Sequence, residues 1–328
     1  MVIAKRRRYR KDMKLEHPTP TSPLRIGTRG SPLALAQAYE ARDRLASAHS
    51  LPDAAFEIVV IKTTGDRVQD RPLKEIGGKG LFTREIEDEL LAGRLDIAVH
   101  SMKDMPVEQP RGLSLDTYLP REDVRDAFIS PTSKSIADLP PATLVGTSSL
   151  RRKAQLLNRR PDLEVVEFRG NVQTRMRKLD EGVAACTFLA MAGLNRLKLD
   201  QIPATPIEPE DRLPAVAQGA IGIERRTDDQ RATTMLEAIH DQTTGHMLAA
   251  ERAFLAALDG SCETPIAGLA SLHGTTVRLT GEILRIDGSE SLSDSGSAAI
   301  EDAPDMAHKL AKDILARAGA DFFSWRQS

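Results

Sequence analysis

The chain has 328 residues, 41% hydrophobic and 28% charged, with a formal net charge of −2. That length exceeds one ordinary core and predicts two or three domains of roughly 100–150 residues each. Two cysteines exclude a disulfide framework and suit a reducing compartment. An aromatic content of 4% argues against a base-stacking surface, and no apolar run approaches the roughly 20 residues that span a bilayer.

The near-neutral total hides a basic head. Residues 1–16 carry Lys5, Arg6, Arg7, Arg8, Arg10, Lys11 and Lys14 against Asp12 and Glu16, which leaves a body of net charge −7. Any anion site must therefore be built locally. Without an apolar h-region the head does not read as a signal peptide. It reads as a disordered extension over 1–23, or as an upstream stretch with Met13 the real beginning, closed by the three prolines between His17 and Pro23.

From Leu24 the pattern alternates strand and helix. Leu24 to Thr28 predicts a strand that runs into Arg29-Gly30-Ser31-Pro32, where Ser31 caps a helix and Pro32 takes its first position. Leu35, Ala38, Ala41 and Leu45 form the apolar stripe of that helix. Phe56 to Ile61 reads as a strand buried on both faces. After a polar loop ending in Gly77-Gly78-Lys79-Gly80, a helix carries Phe82, Ile86 and Leu90. A further strand, Asp96 to Val99, leads into His100-Ser101-Met102-Lys103-Asp104.

A second α/β unit is expected after Pro120. Strands at Leu144 to Gly146, Val165 to Phe168 and Ala184 to Leu189 alternate with helices from Leu150 and around Arg175 and Leu179. Gln201 to Pro214 reads as a connector, and Val216 to Ile223, with Gln218 inside it, returns the chain to the first unit. A third, α+β unit follows, with a long helix from Thr243, an alternating strand over Thr276 to Ile286 and a closing helix over Met306 to Ala318. The expected divisions are 24–119 plus 215–240, 120–214 and 241–328. Ile26-Gly27-Thr28 and Val145-Gly146-Thr147 each end a strand and open a helix, so the first two units read as similar lobes facing across a cleft.

Ligands of open α/β sheets lie beyond the carboxyl ends of the strands. Arg29, Ser31, Lys103, Asp104, Ser149, Arg151, Arg152 and Arg169 fall there, with Arg175 one turn into its helix. Arg151 and Arg152 oppose the dipole of the helix they open, unless an anion binds there and the sign reverses. Arginine forks favour planar carboxylates or phosphates. The spacing of a P-loop is missing, the histidines lack metal-ligand spacing, and there is no Gly-x-Ser-x-Gly elbow. Asp104 reads either as an ion-pair partner of Lys103 or a nearby arginine, or as a group that stabilises a developing cation or shuttles a proton to a leaving amine. Cys186 fits a buried strand. Cys262, between Gly260 and Pro265, sits on a turn able to present its thiol.

Taken together, Arg29 to Leu35, Gly77 to Phe82, Ala98 to Pro106, Val145 to Arg152, Arg169 to Arg175, Pro214 to Glu224 and Gly260 to Pro265 resemble the porphobilinogen deaminase family, in order from about Leu24 to Pro265. The resemblance implies an α/β protein with two lobes like those of type II periplasmic binding proteins and a smaller C-terminal α+β domain. It implies a transferase of tetrapyrrole biosynthesis. Four porphobilinogen molecules are condensed head to tail with loss of ammonia onto a dipyrromethane primer, and linear hydroxymethylbilane is released by hydrolysis.

On the matching positions, Cys262 carries the dipyrromethane by a thioether and Asp104 is catalytic. Lys103, Asp104, Ser149, Arg151, Arg152 and Arg175 hold the cofactor. Arg29, Ser31, Arg169, Arg175, Lys79 and Gln218 meet the substrate. The resemblance further implies a cytoplasmic monomer without metal, nucleic-acid or membrane partners. Ser261, Glu263 and Ala185 depart from commoner family residues. The reading from another class is a non-catalytic two-lobed binding module for a carboxylated ligand.

Overall fold

The computed structural model describes residues 16–67, 83–260, 264–319 and 321–323. The basic head, the glycine loop with Lys79 and Phe82, and Ser261-Cys262-Glu263 lie outside the described residues.

The first lobe begins with β1 (Leu24–Arg29), α1 (Pro32–His49), β2 (Phe56–Ile61) and a single turn α2 (Thr64–Arg67). It continues with α3 (Arg84–Leu91), β3 (Ile97–Ser101) and β4 (Leu113–Tyr118). The second holds β5 (Asp126–Ile129), β6 (Leu144–Gly146), α4 (Leu150–Arg159), β7 (Glu164–Val166), α5 (Val172–Asp180), β8 (Cys186–Ala190), α6 (Met191–Arg196) and β9 (Ala204–Ile207). The chain then re-enters the first lobe as β10 (Ile221–Arg226) and α7 (Gln230–Glu237). A C-terminal unit follows: α8 (Gln242–Ala257), β11 (Ile266–His273), β12 (Thr276–Leu284), β13 (Ser291–Ala299) and α9 (Ala303–Arg317).

The two large sheets have one wiring. Their orders are β2-β1-β3-β10-β4 and β7-β6-β8-β5-β9. In each, the strand second from one edge (β1 or β6) is parallel to both neighbours. In each, the strand that arrives from the other lobe (β10 or β5) is antiparallel to both of its own. The glycines of the internal echo occupy the matching strands β1 and β6. A Cβ at Gly27 would collide with Leu95, and one at Gly146 would lie 2.5 Å from the Phe168 ring. Each glycine thus lets a large side chain close over its strand.

Two expectations from sequence are corrected. Phe56–Ile61 is not buried on both faces; it is the edge of its sheet, with Glu57 and Val60 exposed. Glu57 interrupts the apolar run, and so short a run does not distinguish an edge from a centre. Within the supposed connector 201–214, Ala204–Ile207 pairs with β5 as an edge strand despite Pro206, a position that tolerates proline's missing N–H.

Apolar side chains fill both faces of each sheet. Leu45, Ile26 and Leu236 lie on one side of the first and Ile86, Leu90 and Leu95 on the other. Phe168 and Leu179 flank the second opposite Leu156 and Phe188. The C-terminal unit packs α8 and α9 on an antiparallel sheet, around Phe254, Leu279 and Ile314.

The two connections between the lobes run side by side. Arg121 Nε donates to Gln218 O at 2.9 Å, Gln218 Nε2 to Val124 O at 2.7 Å, and Glu122 N to Gly219 O at 3.2 Å. Gly219 has φ +85°, and a Cβ there would collide with Glu122 O, so only glycine allows this approach. Glu251 of α8, fully buried, accepts from Arg121 Nη1 (2.6 Å) and Nη2 (3.1 Å), Ala217 N (2.6 Å) and Ala270 N (2.8 Å). One carboxylate thereby joins both connections to the C-terminal sheet.

Candidate active site

Three helices open at the carboxyl ends of their strands, and each is capped by a side chain. Ser31 accepts from Ala34 N (3.3 Å) on α1, Ser149 from Arg152 N (3.4 Å) on α4 and Asn171 from Thr174 N (2.9 Å) on α5. Helix N-termini with free amides favour anions. Arg29, Arg169 and Arg175 stand beside these openings and are half-buried.

Lys103 and Asp104 lie on a 3-10 turn, Met102–Asp104, directly after β3. The hydrogen bond from Met105 N to Met102 O closes this turn and carries both side chains past the sheet. Asp104 lines a cavity of about 70 Å³ together with Arg29, Ser31, Gln37, Thr83 and His100. Among the described residues its carboxylate has no hydrogen-bond or ion-pair partner, so the ion-pair alternative is not the arrangement found. Burial pushes Lys103 down to about 8, against the opposing pull of Asp104.

Arg151 and Arg152 are neither solvated nor free. Both are buried and both grip Asp126, itself fully buried at the head of β5. Arg151 Nη1 lies 2.9 Å from Oδ2 and Arg152 Nη2 lies 2.7 Å from Oδ1. The anion that reverses the helix-dipole penalty is thus internal. Burial alone would raise the Asp126 carboxyl, but Arg151 and Arg152 outweigh it and hold the group well below the ordinary value. Gln218 Nε2 completes the knot at 3.0 Å from Oδ1, which puts Gln218 between the lobes rather than in the small cavity.

A third buried arginine, Arg212, stacks 3.9 Å over the Phe188 ring and donates to Arg152 O at 3.0 Å. Burial lowers it to about 9. Burial likewise lowers Arg175 to about 10, helped by the charge of Arg152. Cys186, buried in β8, is pushed up to about 12 and stays a thiol.

Two groups therefore form. Arg29, Ser31 and Asp104 share the small cavity; Arg151, Arg152 and Gln218 gather on Asp126, with Lys103 and Arg175 within reach of their charge. Lys79 and Cys262 lie outside the described residues. Asp126, Arg212, Gln37 and Thr83 were missed from sequence. Asp126 had one available sign, a carboxylate at the head of an otherwise apolar strand. A larger hollow, about 790 Å³ between α1 and α6, holds none of the residues singled out from sequence. Among the described residues no His, Cys, Asp and Glu cluster fits a metal, and no helix is long and apolar enough to cross a membrane.

The donor set suits a ligand with several carboxylates. Three buried guanidiniums share one buried carboxylate, and Arg151 Nε has no partner among the described residues. A buried cation in excess is costly until an anion pairs with it.

Comparison with known proteins agrees. A family model described as "Porphobilinogen deaminase, dipyromethane cofactor binding domain" matches residues 24–234, and one described as "Porphobilinogen deaminase, C-terminal domain" matches residues 246–316. The porphobilinogen deaminase of Paracoccus denitrificans (strain Pd 1222) is 63% identical over 308 residues, covering 94% of this chain and 98% of the relative. That of Nitrobacter hamburgensis is 52% identical over 299 residues, covering 91% and 95%. Among solved structures, a periplasmic substrate-binding protein of an ABC transporter from Coxiella burnetii is 13% identical with a TM-score of 0.40, covering 67% of this chain and 93% of that one. The non-catalytic binding module is set aside, and the chain belongs to the porphobilinogen deaminase family, transferases with a dipyrromethane cofactor.

Proposed function

We propose that Cys262 carries the dipyrromethane through a thioether and that Asp104 is the catalytic carboxylate of the porphobilinogen deaminase reaction. The observation that carries this reading is Asp104 itself, a carboxylate without a partner among the described residues, set in a small cavity with Arg29 and Ser31. When bound, the dipyrromethane supplies the free pyrrole carbon at which the chain is extended.

The substrate's aminomethyl C–N bond breaks as ammonia leaves, and positive charge spreads into its pyrrole ring. Asp104 would stand near that ring and stabilise the charge as it develops. The free pyrrole carbon would supply the C–C bond to the substrate's methylene and release its own proton, which restores its ring. Lys103, Ser149, Arg151, Arg152 and Arg175 would hold the cofactor's acetate and propionate groups, and Asp104 would meet it at its pyrrole nitrogens. Arg29, Ser31, Arg169, Arg175, Lys79 and Gln218 would receive those of porphobilinogen, Gln218 from its place between the lobes. No metal or nucleic acid is needed for this chemistry, and a cytoplasmic monomer is the form we propose. Domain limits of 24–119 plus 215–240, 120–214 and 241–328 agree with which strands share a sheet.

The thioether is tested by intact mass and by acidic dimethylaminobenzaldehyde. The wild-type protein is expected to exceed its sequence mass by one dipyrromethane and to colour; Cys262→Ala is expected to do neither and to lose turnover. A Cys262→Ala protein that keeps the adduct or the activity would end the assignment.

Lys103 adds a pH dependence. Its folded value of about 8 means the ammonium form is lost as pH rises through that value. Cofactor uptake by the apoprotein is therefore expected to weaken above about 8, and Lys103→Arg, charged throughout, to remove that limb. Uptake measured across this range in both proteins decides the point; identical profiles would remove Lys103 from the cofactor's carboxylate set.

A further inference from the structure

The turn that bears Asp104 is not supported by its own lobe alone. Met102 and Met105, on either side of Lys103 and Asp104, are buried in a core that also contains Leu248, Phe254 and Leu279 of the C-terminal unit. Beyond Met105 the chain passes α8, where Arg252 meets it. Arg252 Nη2 lies 2.9 Å from Pro106 O, 2.8 Å from Val107 O and 3.3 Å from Gln109 Oε1. Gln109 Nε2 closes the set with a 2.9 Å bond to Pro106 O.

This arginine is half-buried, and among the described residues no carboxylate pairs with it. Burial pushes its guanidinium below the ordinary value. Its hydrogen-bonding thus goes to neutral oxygens of one short loop, which fixes that loop's distance from α8. The next residue back, Glu251, ties the same turn of α8 to both interlobe connections. In the other direction α8 ends at Ala257, five residues before Cys262 in the chain.

We infer that Arg252 is a positioning residue for Asp104, a strut by which the C-terminal unit bearing Cys262 sets where the Asp104 carboxylate stands. The inference rests on the proposed catalytic role of Asp104. Without the strut, Pro106 and Val107 lose a shared donor only two and three residues from that carboxylate. Small misplacements of a group that acts on the transition state lower turnover far more than ground-state binding.

The test uses the cofactor-loaded protein and four variants: Arg252→Gln, Arg252→Lys, Asp104→Asn and the double variant Arg252→Gln/Asp104→Asn. Arg252→Gln is expected to lower kcat about tenfold with KM within about twofold and a full cofactor mass. Arg252→Lys, still able to donate to both carbonyls, is expected to recover most of the loss. In the Asp104→Asn background, Arg252→Gln is expected to cost little more, because both changes act on one group. Should Arg252→Gln fold poorly, Gln109→Ala removes the side-chain acceptor of Arg252 and the bond to Pro106 O while leaving the two carbonyl contacts, and is expected to lower kcat about threefold. Wild-type kcat in Arg252→Gln, a loss that follows cofactor content or KM, or full additivity with Asp104→Asn would overturn the strut. Normal turnover in Asp104→Asn alone would instead overturn the reading beneath it.

Discussion

Asp104→Asn is expected to lower kcat by about 10²–10³ while leaving cofactor mass, KM and thermal midpoint nearly unchanged. The substitution keeps the shape of the side chain and removes its charge. In the folded protein no hydrogen-bond donor among the described residues relies on that carboxylate, so its loss strands no partner. That separates Asp104 from Asp126 or Glu251, whose oxygens are fully engaged. An effect confined to turnover is the signature of a group whose work is done in the transition state. Asp104→Glu keeps the charge but moves it by one methylene and should fall between the two. Steady-state kinetics with intact-mass control would decide; an asparagine variant within about threefold of wild type would show that the positive charge is met by some other group.

Asp126→Ala is expected to cost about 3–5 kcal/mol, because it leaves Arg151, Arg152 and Arg212 buried without their carboxylate. The matching fall in thermal midpoint is roughly 4–7 °C for a chain of this size. The pH dependence follows from the direction of the shift. A carboxyl held below its unfolded value contributes stability that is fully present above the unfolded value and lost as pH falls through the folded one. Asp126→Asn is therefore expected to be less stable at neutral pH and to show a shallower loss of stability on acidification. Denaturant midpoints for both proteins from neutral pH down to about 2, through the range below the unfolded carboxyl value in which the contribution is lost, give the comparison. Parallel curves would mean that Asp126 is not a source of the acid sensitivity.

Local signals made part of this molecule legible beforehand. Ser31-Pro32 marks the start of α1 because capping and the proline ring act within one turn. The strand that leads to Asp104 is apolar from Ile97 to Val99, and the chain leaves the sheet two residues later, after Ser101. The third unit was harder: only one of its three strands was identified, since β13, Ser291–Ala299, is rich in small and polar residues and β11 does not alternate strictly.

What sequence could not provide is pairing across distance. Arg121 and Glu251 are 130 positions apart, and Arg212 meets Phe188 through a ring face rather than a motif. The charges at Arg151 and Arg152 were recognised as needing an anion, but nothing local indicated that the protein supplies one. Arg252 lies in a helix whose pattern suggests only packing, and its role depends on a loop 145 positions earlier.

The paired interlobe connections restrict how the trough can change shape. Because Arg121, Glu122 and Gln218 bind one segment to the other along its length, sliding one lobe past its twin would break those bonds together. Swinging about the pair breaks none of them. Opening the lobes like covers on a common spine is therefore the easier motion, and its cost falls on the ion pair of Arg196 Nε with Glu40 Oε2, 3.1 Å apart between α6 and α1. That swing makes room for an elongating tetrapyrrole without breaking the paired connections.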